Sequence, residues 1–171
     1  MTQQPDAGSL QRFLDIQEIQ QVLALYPVAV DSREFDLLND CVTPDAQIFL
    51  PGYEPLSPAS YVEMLKRELP LLDASHHLVG IPVIRIDGDR AYSRCYFIAQ
   101  SVRDALAPNA CLSIGGWFTD EWVRTERGWR ISRREGTALW SDGNPRVLDY
   151  EFMGAIPRGD GQKAPEWLRL R

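Results

Sequence analysis

The spacing of apolar residues changes part-way along this 171-residue chain, and that change does most to limit its fold. From Asp15 onward, Ile16, Ile19, Val22, Leu23, Tyr26 and Val30 recur at three- and four-residue steps, the period of a helix with one buried face. After His77 the period becomes that of strands. Val83–Asp87 places Ile84 and Ile86 on one face and Arg85 on the other, and Arg90–Ser101, Cys111–Thr125 and Gly128–Trp140 follow as longer runs. Helices at the front and consecutive long strands behind them do not make the alternating units of a parallel α/β protein. They predict an α+β fold, a curved mixed or antiparallel sheet with three N-terminal helices gathered on one face.

The punctuation supports this order. Asp15 with Glu18 three residues on has the spacing of a capping box and predicts a helix start there. Pro27 removes an amide donor and should kink that helix or end its regular part. Glu34–Cys41 reads as a second short helix, and Pro44-Asp45 turns into a strand over Ala46–Leu50. Ser57-Pro58, a cap followed by proline at the first helical position, opens a third helix to about Leu69. Asp87-Gly88-Asp89 is a tight-turn signal that makes Val83–Asp87 and Arg90–Ser101 a hairpin. Residues 1–10 are expected to be a flexible leader, 11–140 the domain, and 141–171 an extension covering the pocket or a neighbouring subunit. In that extension Tyr150, Phe152, Met153, Ile156 and Trp167 favour packing over disorder.

Charge and composition remove several functions. The net charge is −6 with no basic stripe, which argues against nucleic acid or an anionic membrane as a partner. The longest uncharged apolar-rich stretch, Val22 to Val30, is far too short to span a bilayer, and the first residues lack a secretory pattern. Cys41, Cys95 and Cys111 show neither disulfide-framework nor zinc-ribbon spacing and fit a reducing cytoplasm. No phosphate-binding glycine loop, dinucleotide fingerprint, nucleophile elbow or metal-ligand spacing is present. An enzyme of this sequence would work without cofactor or metal.

Only two histidines exist, His76 and His77, and adjacent residues at a strand entry point to opposite faces, so at most one faces a given pocket. Asp31 ends the apolar run Tyr-Pro-Val-Ala-Val. There it either caps the following turn or meets a partner, because burying an unpaired carboxylate is costly. A histidine partner would have its tautomer fixed by that carboxylate. An imidazole, ordinarily titrating near ~6.5, would then serve as a general base.

Four stretches in order carry a resemblance: Ala29-Val30-Asp31-Ser32-Arg33, His77-Leu78-Val79-Gly80, Val83–Asp89, and Gly128-Trp129-Arg130-Ile131. Together they resemble the SnoaL-like branch of the nuclear transport factor 2-like superfamily, which includes scytalone dehydratase, hexachlorocyclohexane dehydrochlorinases and ketosteroid-isomerase-like proteins. The resemblance spans roughly residues 12–140 and implies a cone-shaped fold around a hydrophobic pocket. It also implies an Asp–His dyad of Asp31 and His77, with His76 on the other face. The family's asparagine four residues after the histidine is replaced by Ile81. The dehydrochlorinase-like members' first-helix cation is replaced by Tyr26, and their last-strand arginine matches Arg134.

Strict alternation would put Arg130, Ser132 and Arg134 on one face of the last strand, and Trp129, Ile131 and Arg133 on the other. Arg134 is then either a pocket cation or a surface partner. Tyr53, Tyr96, Phe118 and Trp140 are the expected substrate-binding side chains. Tyr92, Tyr96 and Ile98 share one face of their strand and Cys95 and Phe97 the other, one row for the cavity and one for a subunit contact. Trp117, Phe118, Trp122 and Trp140 suit either a pocket or an interface.

The expected activity is a cofactor-free, dehydratase-type lyase acting on a small hydrophobic, hydroxylated aromatic or polycyclic substrate. Isomerisation and retro-aldol-like C–C cleavage use the same base. A non-catalytic ligand-binding subunit, like the small subunits of ring-hydroxylating oxygenases, and a protein-interaction module are the alternatives. A homo-oligomer is expected, a trimer ahead of a dimer.

Overall fold

The computed structural model describes residues 6–148 and 166–168. Helix α1 runs Ala7–Asp31 without a break at Pro27. It starts earlier than the apolar period suggests, because Asp6 is the N-cap and accepts from the Ser9 amide. Asp15, expected to be the cap, is instead a buried mid-helix residue. Residues 6–10 of the expected leader are thus the cap and first turn of α1, and residues 1–5 lie outside the described residues. A 3-10 helix, Phe35–Asp40, leads into β1, Val42–Phe49. Helix α2, Pro58–Glu68, begins at the Ser57 cap and ends in a 3-10 turn, Leu69–Leu71.

The strands are β2 (Ala74–Val79), β3 (Val83–Asp87), β4 (Arg90–Val102), β5 (Cys111–Thr125) and β6 (Gly128–Gly143). They form a six-stranded sheet in the order β1-β6-β5-β4-β2. β1 is parallel to β6 and the other pairs are antiparallel, so the sheet is mixed. β3 lies beside the first half of β4 and β2 beside its second half. Gly88 allows the turn between β3 and β4, taking a φ of +59° that other residues rarely adopt. β2 is an additional strand with no periodic signature in the sequence: it is six residues long and begins Ala-Ser-His-His.

One face of the sheet packs on α1 and α2. Ile19, Leu23, Trp122, Trp129 and Ile131 fill the closed end of that layer. Arg124 pins the front half of α1 to the sheet: its guanidinium donates to both Asp15 oxygens at 2.7 and 2.8 Å and lies 4.5 Å over the Trp129 ring. The Trp129 indole donates to Asp15 as well, at 3.1 Å. At the other end of α1, Arg33 takes a left-handed φ of 61°, and its side chain caps the carbonyls of Leu69 and Leu72 at 3.0 Å each.

Two bulges in β6 decide which face several expected site residues reach. Trp122 faces Ile131 but Glu121 faces Arg133, leaving Ser132 as an extra residue; Gly115 faces Trp140 but Gly116 faces Ala138, leaving Leu139 extra. Each extra residue flips the alternation beyond it. Arg134 therefore joins Trp129 and Ile131 on the inner side, contrary to strict alternation. Trp140 turns to the outer side, where Gly115 makes room for its ring; a Cβ there would stand 2.1 Å from it.

The outer face carries Tyr92, Tyr96 and Ile98 of β4, and Tyr96 is 68% exposed. Trp167 of the 3-10 turn Glu166–Leu168 packs against Tyr92 with ring centroids 6.0 Å apart. Tyr150, Phe152, Met153 and Ile156 lie outside the described residues. Among the described residues no helix is long and apolar enough to cross a membrane.

Candidate active site

Asp31 closes the last turn of α1 beside β2, where period-two alternation turns Ser75 and His77 toward the helix and His76 outward to solvent. The carboxylate is met by three donors. Its Oδ1 lies 2.7 Å from His77 Nδ1 and 2.9 Å from the Ser75 hydroxyl, and its Oδ2 accepts from the His77 amide at 2.7 Å. Burial works to raise the Asp31 pKa, but the bonds and charge of His77 and the Ser75 bond outweigh it, and the group is held below the usual carboxylate range. An ionised Asp31 puts the ring proton on Nδ1 and leaves Nε2 with its lone pair.

His77 lines a cavity of about 160 Å³. Its walls are apolar: Phe97 and Ile114 from the sheet, Met64 and Leu65 from α2, and Leu50, Leu72 and Leu148 from the connecting segments. Six polar side chains interrupt this lining, those of His77, Tyr26, Tyr61, Tyr53, Glu68 and Ser101. Tyr53 donates to Glu68 at 2.6 Å. Tyr26 is hydrogen-bonded to Tyr61, with their rings stacked at 6.3 Å. Burial pushes the Tyr26 phenol up, with the charge of Arg134 and the Tyr61 bond acting the other way.

The structure thus brings Asp31, His77, Tyr26, Tyr53 and Phe118 to one cup, all but Asp31 directly in its lining. It does not bring Tyr96 or Trp140 there. Tyr96 stands on the face of β4 opposite Phe97, so the Phe97 row lines the cavity, and Trp140 is carried outward by the bulge at Leu139. Trp117 shares that outer face, its ring set against Tyr96 at 6.0 Å, and Trp122 belongs to the core.

Arg134 is neither a pocket cation nor a surface residue. It is 1% exposed, locked to Asp120 at 2.8 and 2.9 Å behind the Tyr26 and Phe118 rings. Ser75, Tyr61, Glu68 and Ser101 were not anticipated. The i−2 relation of Ser75 to His77 was a usable signal, as was the i, i+3, i+4 stripe of Tyr61, Met64 and Leu65. Among the described residues no group of three or more His, Cys, Asp and Glu is placed to hold a metal ion.

The model of the SnoaL-like domain matches residues 11–135. The chain belongs to the SnoaL-like family. A relative in Mycobacterium tuberculosis, protein Rv2910c, is 37% identical over 134 residues, covering 75% of this chain and 88% of the relative. Among solved structures, the Kfla4162 protein of Kribbella flavida is similar with a TM-score of 0.72 and 26% identity, over 77% of this chain and 95% of its own. A hexachlorocyclohexane dehydrochlorinase, LinA-type3 of Novosphingobium barchaimii, superimposes with a TM-score of 0.71 at 16% identity, over 80% and 94% of the two chains. At that identity the likeness is one of fold. Membership of the SnoaL-like family agrees with the resemblance drawn from the four sequence stretches.

Proposed function

We propose that this SnoaL-like protein is a cofactor-free lyase of the dehydratase type, acting on a small hydrophobic hydroxylated ring compound. The observation that carries the reading is the 2.7 Å bond from His77 Nδ1 to Asp31, with the same ring lining an apolar cup. His77 Nε2 takes a proton from substrate carbon, and Asp31 stabilises the imidazolium. The C–H electron pair forms the new double bond, the C–O bond breaks, and the hydroxyl departs as water with the proton returned from the imidazolium. Tyr26 donates a hydrogen bond to the oxygen on which negative charge develops. General-base assistance of this kind is worth about 10²–10⁴ in rate.

The size of the cup narrows the substrate. An apolar cavity of ~150 Å³ accommodates a benzene ring, so about 160 Å³ favours a single ring with short substituents over a polycycle. Separated dyad residues or a filled cone would have favoured a non-catalytic module; the dyad is bonded and the cone is hollow. Leu148, in the cavity wall, and Val147, buried beside it, support a C-terminal extension that closes the cup. The exposed apolar residues Leu78, Val83, Tyr96, Ile98 and Trp140 on the outer sheet face support assembly with further copies of the chain, a trimer by preference. The free cysteines suit a reducing cytoplasm.

The test is turnover of a panel of single-ring β-hydroxy ketones, followed by loss of water. Wild type converts at least one member and His77→Ala does so at least about a hundredfold more slowly. Equal rates in the two proteins would remove the dyad from the chemistry.

A further inference from the structure

Behind the wall that Tyr26 and Phe118 present to the cup lies an ion pair that touches no part of the cavity. Arg134 and Asp120 are 1% and 0% exposed. Such a pair is weak evidence for stability, because desolvating both ions consumes much of what their attraction returns, and an apolar pair of equal volume often serves a core as well. Its placement suggests another use. Asp120 occupies the Nε–Nη2 edge of the guanidinium, which leaves Nη1 without a hydrogen-bond partner. The Arg134 Cζ lies 4.1 Å from the centre of the Tyr26 ring and 4.4 Å from that of Phe118. Tyr26 in turn shares its hydroxyl bond with Tyr61, so α1 and α2 each bring one phenol oxygen to the same spot on the wall. A cation on the ring face draws electron density from the phenol and strengthens its O–H as a donor. In a water-poor cup such a donor acts on developing negative charge far more than it would in water.

We propose that the buried Arg134–Asp120 pair sets the donor strength of Tyr26, making the Tyr26–Tyr61 hydroxyl pair a receptor for an oxyanion. The substrates are then ring compounds whose carbonyl or acidic hydroxyl oxygen lies across the ring from the C–H attacked by His77. This rests on the reading of His77 as the base only for the position of that C–H. Tyr26 precedes Asp31 by five residues, roughly 7 Å along the helix, and it packs on side chains of β5 and β6, whereas His77 rides on β2 beyond β4. That separation suits one ring with its substituents. The C–H electron pair moves into the carbonyl, giving an enolate whose oxygen accepts from the Tyr26 hydroxyl while Tyr61 donates to the Tyr26 oxygen, and both phenols keep their protons. Collapse of the enolate expels the β-hydroxyl, which leaves as water with the proton from His77. Arg134 is a positioning residue in this account, acting through Tyr26.

The probes are 4-nitrophenolate and nitrobenzene, two single rings of similar shape of which only the first carries an oxyanion. Titrated at a pH where the nitrophenol is ionised, wild type binds the anion in preference to the neutral ring, and Tyr26→Phe lowers that preference about tenfold, the worth of one hydrogen bond to a charged group. Two variants of the ion pair separate tuning from scaffolding. The double variant Arg134→Met/Asp120→Leu removes both charges while filling the space and lowers the preference about tenfold. Asp120→Asn leaves the guanidinium uncompensated and raises it. Nitrobenzene affinity within twofold of wild type shows that the cup is intact in each, and should the double variant fail to fold, the sign of the Asp120→Asn effect decides. No preference in wild type, an unchanged preference in these variants, or a fall in both would overturn the proposal. His77→Ala loses turnover but keeps the anion preference, so failure of the base and failure of the oxyanion receptor appear in different proteins.

Discussion

Asp31 accepts from the His77 ring, the His77 amide and the Ser75 hydroxyl, and each of these bonds favours its charged form over the burial that opposes it. Removing one donor should therefore be felt at the histidine. Ser75→Ala is expected to raise the Asp31 pKa, so that the acid limb of the pH–rate profile begins at higher pH than in wild type, with a loss of about tenfold or less in turnover at neutral pH. A pH–rate profile for both proteins on one substrate checks this. At this scale the dyad was legible through the family resemblance: by position alone Asp31 is equally a turn cap, and alternation says that one of His76 and His77 faces the pocket without saying which. The role of Arg134 was not. Its inward direction depends on one extra residue, Ser132, and its partner Asp120 lies fourteen positions earlier on the neighbouring strand.

At the level of whole elements, α1 is fixed to the sheet by the Asp15–Arg124–Trp129 cluster. The Arg124 bonds hold the Asp15 pKa down to about 2 against burial, which works to raise it, with the Trp129 bond adding to the lowering. The folded-state value lies below the unfolded one of 3.8, so the unfolded chain takes the proton first. The stabilisation, about 2 kcal/mol, is complete above roughly pH 5 and is lost as the pH falls toward 2. Asp15→Asn should lower the melting temperature at pH 7 and flatten its fall between pH 5 and pH 2, as thermal unfolding across that range would report.

Arg33 joins the end of α1 to the turn after α2, whose Leu69 and Leu72 wall the cavity. Arg33→Ala is expected to speed amide hydrogen exchange in residues 69–72 while leaving the β5–β6 ladder protected. The order of helices and the strands β3, β4, β5 and β6 could be read from periodicity and caps. β2 could not, because its Ser-His-His segment has polar residues on both faces. The bulges at Ser132 and Leu139 could not either, since an extra residue leaves no mark in composition and shows only in register.

Among the described residues the sheet carries apolar side chains on both faces, those of the cup within and those of the outer face. Leu78, Val83, Tyr96, Ile98 and Trp140 on that outer face account for the Tyr96 and Trp140 misassignment: they are aromatic and aliphatic like a pocket lining, yet they face away from it. The double variant Tyr96→Glu/Ile98→Glu should yield monomers by analytical ultracentrifugation while keeping the fold. A wild-type protein that sediments as a monomer would remove the oligomer from this account.

The central claim concerns the inner surface, where an ionised Asp31 holds His77 as a base against a ring-sized apolar cup. Its most direct measurement is single-turnover conversion of a substrate by wild type, His77→Ala and Asp31→Asn, with circular dichroism confirming equal folding. Losses of at least about a hundredfold in both variants are predicted, and a His77→Ala protein that turns over at the wild-type rate would contradict it.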